Sequence, residues 1–151
     1  MNARIIPTAL FALLVAPVLV RAQNPWERQV VDYVQRTATA LRRQGLEPTG
    51  APRVGPMLVD ESAWFSVTLR AGVSYAIVGA CDNDCSGLDL ALYSDAHNEV
   101  EAERGSAVPM VKVTPRETLQ YRVKVTLTGC RLSPCWYGIG VYRQAATPPA
   151  P

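Results

Sequence analysis

The chain is 151 residues long, 48% hydrophobic and 19% charged, with a formal net charge of +2. That length suits one domain with an appendage, and the charge gives no case for binding nucleic acid or an anionic membrane surface. The residual basicity is itself partly a targeting feature. Arg4 and Arg21 lie in the first 22 residues, so their removal leaves 13 of the 15 basic residues against 13 acids, on a chain of 151 less 22, or 129, residues.

Residues 1–22 read as a cleavable signal peptide. Arg4 supplies the positive start, Ile5–Val20 runs sixteen residues without a charge, and Val20-Arg21-Ala22 offers modest side chains before a cut. The run is shorter than a membrane span of roughly 20 apolar residues and contains Pro7 and Pro17. No later stretch is long and apolar enough to cross a bilayer, so the expectation is a secreted or periplasmic product without a membrane span.

Residues 24–45 read as one amphipathic helix of about five turns. Asn24 can cap it, Pro25 suits the first helical position, and Glu27 stands where a capping box places an acid. Val30, Val34, Thr37 and Leu41, with Tyr33, share one face, while Arg28, Gln35, Arg36 and Arg42 take the other. Gly45 suits the stop. Residues 46–56 hold Pro48, Gly50, Pro52, Gly55 and Pro56, the composition of a linker or an extended edge segment.

Residues 57–143 alternate with the period of two that marks half-buried strands. The apolar phases are Phe65-Val67-Leu69, Val73-Tyr75-Ile77, Leu88-Leu90-Leu92, Val111-Val113, Tyr121-Val123-Val125-Leu127 and Tyr137-Ile139-Val141. One apolar face per strand argues for antiparallel sheets. The predicted fold is therefore mainly β, an antiparallel β-sandwich of jelly-roll-like type preceded by one amphipathic α-helix. Residues 144–151, Ala, Thr and Pro from Ala145 onward, read as a tail.

Trp64-Phe-Ser-Val-Thr-Leu-Arg-Ala-Gly-Val-Ser-Tyr-Ala-Ile, Leu88-Asp-Leu-Ala-Leu-Tyr, Val113-Thr-Pro and Tyr121-Arg-Val-Lys-Val together resemble the bacterial pre-peptidase C-terminal domain, over about residues 57–143. The resemblance implies a small β-sandwich that accompanies exported peptidases and other exported enzymes. Two departures stand out: no catalytic domain is attached in this sequence, and its four cysteines lie outside the usual pattern. Some members of that family bind calcium near their N-terminal end, where this chain has Asp60 and Glu61.

Cys81 and Cys85 flank Asp82-Asn83-Asp84, and Cys130 and Cys135 flank Arg131-Leu132-Ser133-Pro134. An exported chain with an even cysteine count points to disulfides, over a zinc site or redox catalysis. Local pairing within each loop is favoured because short loops close first. If strands alternate in direction both loops share one end of the sandwich, and a crossed pairing stays open.

His97 stands in Asp95-Ala96-His97-Asn98, a hairpin tip, with no Gly-x-Ser-x-Gly elbow elsewhere in the sequence. Asp82, Asp84 and Asp89 are oxygen ligands of the kind calcium takes, yet too few to fill its shell, so turn chemistry is the preferred account and no cofactor is expected. Glu99, Glu101 and Glu103 alternate as a solvated edge strand would. Trp64, Tyr93, Trp136 and Tyr142 fall out of phase with the inward residues, as do Arg70, Lys112, Arg122 and Lys124. Those residues form either an aromatic-basic surface for a protein or glycan partner or the seat of the N-terminal helix, the second being favoured because a lone amphipathic helix needs a cover. The resulting expectation is a non-catalytic exported binding or accessory module, with a structural or assembly factor of the cell envelope as the alternative.

Overall fold

A computed structural model describes residues 24–95 and 97–146. The signal sequence and the last five residues of the tail lie outside the described residues. Helix α1 spans Pro25–Arg43, and Asn24 caps it by accepting a hydrogen bond from the Trp26 N–H at 3.0 Å. At its end Gly45 adopts φ 79°, a left-handed conformation that glycine takes without a side-chain penalty. The buried stripe is Val30, Val34 and Leu41. Tyr33, expected on that stripe, is exposed, with the Arg36 guanidinium 5.6 Å over its ring.

Nine strands follow: β1 Leu46–Pro48, β2 Arg53–Met57, β3 Ser62–Leu69, β4 Tyr75–Cys81, β5 Cys85–Tyr93, β6 Glu99–Ser106, β7 Met110–Val113, β8 Leu119–Cys130 and β9 Cys135–Gln144. One sheet runs β1-β9-β4-β7, with β2 also on β9; the other runs β3-β8-β5-β6. All pairings are antiparallel. With β1 and β2 taken as one interrupted first strand, this is the jelly-roll order, so the fold agrees with the alternation in the sequence.

The segment 46–56 is not a free linker. Both of its strands pair with β9, so the sandwich begins before residue 57. Pro48 and Pro56 are tolerated because this is the rim of the sheet, where a missing N–H leaves no ladder bond unmade.

Between the sheets lies the main core. Leu69, Ile77, Leu88, Leu90, Leu92, Val111, Tyr121, Val123, Val125, Leu127 and Ile139 are all buried there, on the inward phases that the alternation marks. Two smaller clusters lie between α1 and the first sheet. Leu41 packs with Ala76, Val78 and Tyr142, and Val30 and Val34 pack with Ala80 and Trp136. The helix thus roofs one sheet, and among the described residues no element covers the other.

Candidate functional site

The two cysteine-bounded loops meet at one end of the sandwich. Cys81 pairs with Cys85 and Cys130 with Cys135, with Cα separations of 5.8 and 5.9 Å. Both pairs are local, as favoured. Asp82 is 2% exposed. Its Oδ1 accepts from the N–H groups of Asp84 and Cys85 at 3.1 and 3.2 Å, and its Oδ2 from Trp136 N–H at 2.7 Å. Asp84 receives Trp26 Nε1 at 3.0 Å and Arg131 Nη2 at 3.2 Å. Gln29 Oε1 accepts from Asn83 N–H at 3.0 Å. These side chains lash the start of α1, the β4–β5 loop and the β8–β9 loop together.

Asp82, Asp84 and Asp89, the candidate calcium ligands, are not gathered into one site. The first two carboxylates are turned onto N–H donors, and Asp89 lies elsewhere, accepting from Gly105 N–H at 2.8 Å. Among the described residues no three or more His, Cys, Asp or Glu side chains are grouped as metal ligands. Glu61 accepts from Leu58 N–H at 2.9 Å, and Asp60 turns the chain with φ 65°, so this pair shapes the β2–β3 turn. At the far end of β5, Asp95 Oδ1 accepts from the N–H groups of His97 and Asn98, both at 2.9 Å. His97 sits exposed on that hairpin tip.

The outward aromatics divide. Tyr142 points away from the main core as its phase requires, but it lies under α1, 2% exposed, with its hydroxyl donating to Val34 O at 3.4 Å. Burial raises the pKa of that hydroxyl. Trp136 is half-buried against Val30 and Val34. Both therefore leave the candidate binding surface, because the helix needs them as its seat. Lys112 belongs to this same sheet, on its edge strand β7.

Trp64, Tyr93, Arg122 and Lys124 are brought together on the other sheet. β8 lies between β3 and β5, pairing Lys124 with Trp64 and Arg122 with Tyr93. Trp64 as a residue is 41% exposed. Arg122 Cζ stands 4.4 Å and Lys124 Nζ 5.5 Å from its centroid, and Tyr93 packs beside it at 5.2 Å with the planes tilted by 49°. Tyr93 Oη donates to Glu99 Oε2 at 2.9 Å, and Arg104 Nη2 donates to the same oxygen at 2.6 Å. Partial burial and the Glu99 bond raise the Tyr93 pKa, while the Arg104 and Tyr93 bonds lower that of Glu99. Ser62 and Thr126 share a hydroxyl–hydroxyl bond of 2.7 Å beside the aromatic pair.

Arg104 carries no signal in the sequence. A register shift between Leu92 and Tyr93 places Glu99 opposite Tyr93, while Glu101 and Glu103 oppose the inward Leu92 and Leu90. Strict alternation puts all three glutamates on one face, and the bulge separates them. The assembled surface is an exposed indole flanked by two cations, able to stack on a flat apolar group and to attract negative charge. No family model matches the chain, and no curated protein matches it.

Proposed function

We propose that the chain is an exported, non-catalytic binding module whose ligand rests on the open face of the β3-β8-β5-β6 sheet. One observation carries the reading: the helix roofs the opposite sheet, while Trp64 stands uncovered with Arg122 and Lys124 drawn over its ring. Exposed aromatics are the residues through which interfaces gain most of their affinity. The resemblance to pre-peptidase C-terminal domains supplies the accessory half of the proposal. Two disulfides point to an oxidising environment, and the Met1–Ala22 pattern supports export. The test is calorimetric titration with soluble polysaccharides and with extended peptides. Replacing Trp64 by Ala should abolish binding while the melting temperature barely moves; unchanged binding to every ligand found would move the site elsewhere. An exported product whose intact mass begins at Met1 would count against export by signal cleavage.

A structural or assembly factor of the cell envelope is the second reading, favoured by the cystine end. Leu132 is 66% and Leu58 56% exposed there, with Trp26, Val59 and Val108 also exposed around it. Stable co-purification with one envelope protein, lost when Leu58 and Leu132 are replaced by Ser, would favour this reading over the first.

A further inference from the structure

The sheet edges are not protected alike. β6 carries Glu99, Glu101, Glu103 and Arg104. β7 is four residues long and includes Lys112. The rim formed by β1 and β2 is interrupted and contains Pro48, Pro56 and Arg53. Charge, brevity and proline are the devices that keep an edge from pairing with another chain. β3 has none of them: Ser62–Leu69 is eight residues without a charge or a proline, in unbroken register with β8.

Its backbone groups are accordingly free on one side. Leu127 N–H donates to Glu61 O at 3.1 Å. Alternation along the strand then turns Ala63, Phe65, Val67 and Leu69 toward β8, and the N–H and C=O groups of Ser62, Trp64, Ser66 and Thr68 toward the open side. Arg70, next in the outward series, gives its N–H to Tyr75 Oη at 3.1 Å and not to β8. Among the described residues no strand other than β8 pairs with β3.

Side-chain recognition is available on both faces of that edge. A cavity of about 150 Å³ opens between β3 and the β1–β2 connection, lined by Phe65, Val67, Ile139 and Val141 with Arg53 at its side. A cavity of that size holds a group as large as benzene. On the other face Arg122 and Lys124 lie over Trp64, and so toward the edge. The direct ion pairs among the described residues are Arg104–Glu99 and Arg131–Asp84; Arg53, Arg122 and Lys124 stand outside them, Lys124 within electrostatic reach of Glu99.

We infer that β3 is an acceptor edge, to which an extended, acid-bearing polypeptide adds as a further strand. One apolar side chain enters the Phe65–Val67 cavity, and carboxylates on the opposite face meet Arg122 and Lys124. Main-chain pairing supplies the affinity and the two faces the selection, as in other strand-addition complexes. The inference rests on the binding-module reading and names its ligand class.

The probe is a fluorescent peptide of alternating valine and glutamate, with a valine-lysine peptide as its counterpart. The acidic peptide should bind, more weakly as salt rises, and should slow hydrogen exchange at the Trp64, Ser66 and Thr68 amides; the basic one should not bind. Ser66→Pro removes an outward N–H that β8 does not use, so the fold should persist while the peptide binds about tenfold more weakly or worse. N-methylating alternate residues of the peptide should do the same with the protein unaltered. Peptide binding that survives both changes but fails in Trp64→Ala overturns the edge and leaves the open-face reading standing. Binding of a soluble polysaccharide at Trp64 with no peptide binding overturns the polypeptide class alone, and binding of neither overturns both readings. A dimer of the chain that Ser66→Pro dissociates would put a second copy on the edge and overturn the inference.

Discussion

The two outer faces of this sandwich follow the same alternation and end in opposite conditions. On β9 and β4 the outward side sets the small residues Gly138, Gly140, Ala76 and Ala80 beside Trp136, Val78 and Tyr142, and none of these is charged. A Cβ at Gly138 would stand 2.6 Å from Val30 Cγ1 and 3.2 Å from Val34 Cγ2, and one at Gly140 would stand 2.7 Å from Tyr142 Oη. The missing side chains let the helix settle on the strands and let Tyr142 lie across its own sheet. On β3, β5 and β8 the outward residues include Trp64, Tyr93, Arg122 and Lys124, bulky and in part charged. Period two tells inward from outward; the glycines and alanines between the outward aromatics, and the lack of charge there, mark the covered face.

The largest expected effect separates two aromatics with the same phase. Tyr142→Ala empties a buried site under α1 and should cost about 3 kcal/mol or more in urea unfolding. Trp64→Ala removes a solvated ring with its cation contacts and should cost under about 1 kcal/mol. Equal losses would erase the distinction between the roofed and the open face.

A second contrast sets Asp82 against Asp89. Asp82 is buried and accepts three backbone N–H groups, so Asp82→Ala should cost about 2–3 kcal/mol by leaving those donors without a partner. Asp89 is only half-buried and accepts one such bond from Gly105, so Asp89→Ala should cost under about 1 kcal/mol. Calcium should leave the melting temperature of the unaltered protein where it was. A rise on adding calcium, lost in either variant, would restore the metal reading.

Much of the fold is legible in the sequence because burial leaves a periodic trace. The inward phases of Leu88-Leu90-Leu92 and Tyr121-Val123-Val125-Leu127 reappear as the main core, and the Asn24 cap appears at the start of α1. Features carried by interruptions of the pattern are hidden. β1 and β2 are built from a proline-glycine segment whose edge position alone makes it acceptable. The candidate site was half legible: the outward phase picks out Trp64, Arg122 and Lys124, but it picks out Trp136 and Tyr142 equally, and strand order decides which sheet each joins. The Glu99–Arg104 pair depends on a bulge that periodicity does not foresee.

A smaller effect tests the open face directly. Arg122→Ser with Lys124→Ser should change stability by no more than about 0.5 kcal/mol, as for most surface substitutions, while weakening capture of an acidic ligand and flattening its salt dependence. A fall of several degrees in melting temperature would mean that the two cations hold the sheet together, and the open face would then be a structural surface.

The smallest effect is a local response to pH at the hairpin beside that face. The Arg104 and Tyr93 hydrogen bonds hold Glu99 below the usual carboxylate range, and the N–H groups of His97 and Asn98 do the same for Asp95. A lowered folded-state pKa means stabilisation that is present above the ordinary carboxylate value and is lost as pH falls through the lowered one. Tyr93 has the opposite sign: its pKa is raised, by burial first and the Glu99 bond second, so its contribution holds at low pH and is lost as pH rises through the raised value. The Tyr93–Glu99–Arg104 link is thus intact across the whole neutral range. Acid should loosen the β5–β6 hairpin while the core, built on apolar burial, stays closed. Amide exchange across β6 and the NMR shift of the Asn98 amide should report that opening below pH 4 or so. An Asn98 amide that titrates at the ordinary aspartate value would mean that Asp95 does not hold the turn.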